Sequence, residues 1–69
     1  MPTLREMRLD LGWTVTKLAE EAGVSRQVIA SAEKGDSIRA DTAKALADAL
    51  SRAYGREIKS YEIDRLNIL

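Results

Sequence analysis

Residues 14–35, TVTKLAEEAGVSRQVIASAEKG, constrain the fold more than any other stretch of the chain. Apolar or small side chains fall at positions 15, 18, 19 and 22, then at 24, 28, 29 and 32. Each set has the spacing that lines one face of an α-helix. Ala22-Gly23-Val24 interrupts the pattern once, and a glycine at such a point ends one helix and turns the chain. Ser25 follows directly, with a side chain suited to cap a new helix by accepting a backbone N–H. The reading is two short helices joined by a tight turn.

The flanking residues extend this into an all-α bundle. Thr3-Leu4-Arg5-Glu6 has the capping-box pattern, and Leu4, Met7 and Leu11 share one helical face, so a first helix is expected through about Leu11. Gly12 ends it, and Trp13 is expected as a core anchor over the first two helices. Thr14 caps the second helix, which runs to about Ala22. The third runs from Ser25 to about Lys34, with Gly35 as its C′ residue. Val28, Ile29 and Ala32 form its inner, core face, and Leu9 lies on the outer side of the first helix. After a short loop at 36–39, a fourth helix is expected over about Ala40–Ala53, with Asp41 near its positive end. Ala43, Leu46, Ala47 and Leu50 are its buried stripe, and Gly55 breaks it.

Residues 1–55 thus read as the domain proper and 56–69 as a C-terminal segment. Ser60 caps a fifth helix of about six residues, or Ile58 to Ile63 is extended; the pattern allows both. Ile63, Leu66, Ile68 and Leu69 are too apolar for a free end, so they cap the core or meet a second subunit, and Tyr54 and Tyr61 are expected to pack. Met1-Pro2 reads as a native start, whereas the ending Asn67-Ile68-Leu69 is compatible with a further domain.

Composition narrows the function. A 69-residue chain makes one domain and buries only roughly 60% of its unfolded surface. It has no cysteine and no histidine, so neither a disulfide nor the usual zinc site is expected. The commonest catalytic side chains are missing too, and so small a chain has little room for a pocket of ~300 Å³. No enzyme activity, metal, cofactor or small-molecule ligand is expected. No apolar run approaches the ~18 residues of a membrane span, and the expected location is the cytoplasm, with the nucleoid.

A helix–turn–helix of this size sets its second helix into the major groove of DNA. Net charge argues the other way. Lys plus Arg and Asp plus Glu each number 11. The balance is also local: Arg5 and Arg8 stand against Glu6 and Asp10 in the first 13 residues. Any attraction for phosphate must therefore come from the arrangement of charges, and modest non-specific affinity is expected.

From Leu4 to Leu50 the chain resembles the Cro/C1-type helix–turn–helix family, also called the XRE family. The matching stretches are LREMRLDLGW, T-x-x-x-LAEEAGVSRQVI, the E-x-G of Glu33-Lys34-Gly35, and DTAKALADAL. The G-V-S turn followed by I-x-x-x-E-x-G is the specific part of the match. The resemblance implies a compact bundle of four to five short helices, a lambda repressor-like DNA-binding domain. It places Ser25, Arg26 and Gln27 at the opening of the recognition helix, where the family contacts bases, with Ala30 and Ser31 further along the same face. It pairs Arg8 with Glu33. Two residues depart from the family pattern: Val15 stands where relatives often carry a phosphate-binding Gln, and the loop after Gly35 is acidic and short.

The implied roles suit the side chains. Arg bonds guanine O6 and N7 with two donors, and Gln pairs likewise with adenine N6 and N7. Arg26, Gln27, Ser31 and Ala30 are therefore the expected base-contacting residues. Thr14, Thr16, Lys17, Ser25, Lys34 and Arg39 are the expected phosphate contacts, the first three at a helix start whose N–H groups bind anions without charge. The expected function is sequence-specific binding of double-stranded DNA by a regulator acting as a homodimer on a pseudo-palindromic operator. The alternative is a protein-interaction module, an antitoxin or adaptor, on the same fold.

Overall fold

The computed structural model describes residues 1–69. It contains four α-helices, α1 (Leu4–Asp10), α2 (Val15–Ala22), α3 (Arg26–Lys34) and α4 (Ala40–Tyr54), followed by one 3₁₀ turn, Ser60–Glu62. No strand is present beyond two isolated bridges, so the all-α expectation holds.

Local chemistry starts and stops the helices. Thr3 Oγ1 accepts from Glu6 N (3.2 Å), and Glu6 Oε1 accepts from Thr3 N (2.8 Å), completing a capping box on α1. The Thr3 backbone N–H, which favours the charged carboxylate, holds the Glu6 pKa below its ordinary value. Thr14 Oγ1 caps α2 through Lys17 N (3.0 Å), and Ser25 Oγ caps α3 through Val28 N (3.1 Å). Gly23 ends α2 at φ 70°, in the left-handed region where a Cβ is costly. Gly35 ends α3 in the same way, at φ 94°.

The core lies where α1, α2, α3 and α4 converge. Leu18, Ile29, Leu46 and Leu50 have no solvent exposure at all. Leu4, Met7, Ala19, Ala32, Ala43 and Ala47 complete the helical contribution. Small residues at 43 and 47 let α2 approach α4 closely, which is what so short a chain needs to exclude water.

The tail closes this core, and here the sequence reading needs correction. No fifth α-helix forms; a single 3₁₀ turn takes its place, and Ser60 belongs to that turn instead of capping a helix. Lys59 precedes it, its N–H donating to Glu62 Oε2 (2.7 Å). The reason is the competing demand of Ile58 and Ile63, both buried on the core from opposite sides of the turn. Ser51 Oγ accepts from Ile58 N (2.8 Å) and donates to Ala47 O (2.7 Å), fastening the tail to α4. Farther on, Ile38 N donates to Asn67 O (2.8 Å) and Leu69 N to Ile38 O (2.9 Å). The bridge draws Ile38, in the 36–39 loop, into the core.

Two side chains differ from expectation. Tyr61 does not pack; it is 78% exposed. Trp13 packs against the core as expected, although half-buried. Val28 is half-buried and open to a groove, while Ile29 and Ala32 beside it are buried as expected. Leu9 is exposed on the outer side of α1.

Candidate nucleic-acid interface

The short α2–α3 turn and its two caps set the N-termini of both helices side by side. Thr14, Val15, Thr16, Ser25, Arg26, Gln27 and Ala30 line one open concave surface. Ser25 and Gln27 also border a groove of about 350 Å³, shared with Val28, Ser31, Ser37, Ile38, Arg39, Thr42 and Leu69. The two surfaces therefore form one continuous face running from the start of α2, across the first two turns of α3, to the start of α4.

Arg26, Gln27 and Ala30 are exposed on this face, and Ser31 is half-buried. Arg26 belongs to none of the chain's ion pairs, so its guanidinium is available to a partner. A shallow surface of hydroxyls, one amide and one free guanidinium offers donors and acceptors to base edges and phosphates. The hydroxyls of Thr14 and Ser25 already accept from their own helices, which leaves each with a donor to spare.

The other expected phosphate contacts are placed differently. Arg39 lies on the face, but its Nη2 is 3.1 Å from Asp41 Oδ2. Lys17 lies outside it, bridged to Glu21 at 3.1 Å with its ammonium 6.0 Å from the centre of the Trp13 ring. Lys34, at the far end of α3, lines a separate cleft with Thr3, Arg5 and Arg65. Val15, where the family often has Gln, packs its methyl groups toward the core. Sequence reasoning missed Leu69, Thr42 and Ser37 as borders of the groove; only the pairing of the tail with Ile38 brings Leu69 there.

Behind the face stands a bidentate ion pair. Arg8 Nε donates to Glu33 Oε2 (2.7 Å) and Nη2 to Glu33 Oε1 (3.1 Å), while Nη1 donates to Trp13 O (2.9 Å). Arg8 is only 8% exposed, and the hydrogen bonds to Glu33 raise its pKa further, so it is charged at any pH the fold survives. One guanidinium thus joins α1, the start of the α1–α2 loop's exit and the last turn of α3. It fixes α3 from behind.

A helix-turn-helix family model matches residues 4–54, the whole span from the start of α1 to the end of α4. The chain is a Cro/C1-type (XRE family) helix-turn-helix domain. It is similar to an uncharacterized HTH-type transcriptional regulator of Methanothermobacter thermautotrophicus, 46% identical over 54 residues. That alignment takes in 78% of this chain and 74% of the relative. No solved structure matched the chain. In this helix-turn-helix, α2 and α3 are the paired helices. No helix is long and apolar enough to cross a membrane.

Proposed function

We propose that the protein is a regulator that binds double-stranded DNA in a sequence-specific way, with two copies on a pseudo-palindromic operator. The observation that carries this reading is the exposed, unpaired Arg26 beside Gln27 on the first turn of α3, on a face shared with the α2 N-terminus. Arg26 and Gln27 read bases through their bidentate donor and acceptor sets. Ala30 and Ser31 lie further along the groove, Ala30 offering an apolar contact such as a thymine methyl accepts. Thr14, Thr16 and Ser25 hold phosphates and fix the register.

The size of the domain supports two copies. Its longest dimension is 27 Å, whereas successive major grooves on one side of the duplex lie about 34 Å apart. One copy therefore reads one half-site. The tail's isoleucines 58 and 63 are turned inward, so they are not the surface that brings two copies together.

The balanced charge of the chain favours a second reading, a protein-interaction module on the same fold. One experiment separates the two. Binding to random-sequence duplexes, followed by selection and sequencing, is run beside Arg26→Ala/Gln27→Ala. A palindromic motif that the double variant loses supports the regulator. No enrichment by the folded native protein overturns it and leaves the interaction module.

A further inference from the structure

The DNA face carries only two cations, Arg26 and Arg39. Arg26 is free, whereas Arg39 is answered by Asp41 two residues on, at 3.1 Å. Asp41 is held on both oxygens: Oδ2 accepts from Arg39 Nη2 and Oδ1 from Thr42 N, at 2.9 Å. Thr42 borders the groove; Asp41 does not line it, but the Thr42 N–H fixes its carboxylate beside Arg39, which does.

We infer that Asp41 is an affinity-setting residue of the interface, one that silences Arg39 as a phosphate contact; the inference rests on the DNA-binding reading above. An exposed ion pair is weak, and a phosphate can draw the guanidinium away from it. The carboxylate then stays behind, well within one Debye length of that phosphate, and repels it. Arg39 and Asp41 together therefore exert almost no net pull on DNA. The face is left with one effective cation, Arg26, which is also a base reader. Sequence-independent attraction, which comes from neutralised phosphates, is kept low in every complex. Occupancy of random DNA falls, and binding depends on the hydrogen bonds that Arg26 and Gln27 make with matched bases.

The test is the salt dependence of binding to a random-sequence duplex and to the selected duplex, for native protein, Asp41→Asn, Arg39→Ala and the double variant. Asparagine keeps the acceptor for Thr42 N–H; Asp41→Ser is the second choice if thermal melting shows Asp41→Asn to be unfolded. The control is Glu57→Gln, which adds the same charge by freeing Lys59 from its partner at 3.0 Å. It lies beyond the far end of α4, which is 15 residues and about 22 Å long. Asp41→Asn is expected to tighten binding to both duplexes several-fold at low salt and to steepen the salt slope by about 0.9, one phosphate contact. Glu57→Gln should change both far less. Arg39→Ala should abolish the gain in the Asp41→Asn background yet barely alter the native protein. Equal effects of Arg39→Ala in both backgrounds, equal gains from Asp41→Asn and Glu57→Gln, or no gain from Asp41→Asn overturn the role of Asp41 while leaving DNA binding intact. Failure of the native protein and the variants to bind any duplex at low salt overturns the interface, and this inference with it.

Discussion

Arg8 ties α3 to α1. Its guanidinium is enclosed, bidentate to Glu33 and bonded to Trp13 O, and no buried side-chain polar atom in the protein lacks a partner. A buried pair of this kind gives little net stability over an apolar replacement, but removing one member strands the other charge. Arg8→Ala is therefore expected to destabilise the fold by about 3–5 kcal/mol in denaturant unfolding, and Arg8→Met/Glu33→Leu by clearly less than the sum of its single variants. Additive losses would show that the two charges act independently. Tyr54 makes a second residue-scale prediction. Its hydroxyl donates to Asp10 Oδ2 (2.7 Å), and burial, together with that carboxylate, pushes its pKa from 10.0 to about 12. The folded state thus holds the phenolic proton more tightly than the unfolded chain does. The stability this contributes is complete below pH 10 and is lost as pH rises from about 10 to 12. Chemical denaturation across that range should show a fall in the stability of the native protein, and Tyr54→Phe should flatten that limb. A limb of equal depth in both would assign it to other groups.

The helices were legible in the sequence because what starts and ends them lies within a few residues. Thr3, Thr14 and Ser25 accept from N–H groups three residues on, and Gly23 and Gly35 supply left-handed backbone, all readable from spacing and side-chain type. Gly23 sets α3 against α2. A Cβ there would meet nothing within 4 Å, so any loss is backbone strain and not a clash. Gly23→Ala should cost about 1–2 kcal/mol in a denaturant midpoint series while leaving the helical circular-dichroism signal intact. A neutral result would mean the turn relaxes to another conformation. The tail was less legible for the opposite reason. Its conformation is settled by distant partners: Ser51 on α4, Ile38 in the loop and Pro2 before α1, whose carbonyl accepts from Asp64 N (2.8 Å). Periodicity within 56–69 carries no trace of them, so helix and extended chain read equally well. Val28 was misread as core for a related reason: its helical position is inner, but the loop opposite leaves a groove.

Across the whole molecule the site follows from the fold with little freedom. Four helices around one core bring Thr14, Thr16, Ser25, Arg26, Gln27 and Ala30 onto one surface, and the motif alone names the same residues. What the motif could not convey is charge bookkeeping in three dimensions. Lys17 bridges to Glu21, Lys34 turns to another cleft and Arg39 is held by Asp41, so the face is far less basic than its sequence suggests. The account consequently predicts a binder that reads bases with modest help from phosphates. The most direct check of that claim is a backbone amide resonance map of the protein titrated with its selected duplex. Shifts concentrated at 14–16 and 25–31, with residues 57–61 unmoved, are the predicted result. A cluster around 57–61 with a silent recognition helix would contradict it, and would put the working surface of this domain on its opposite side.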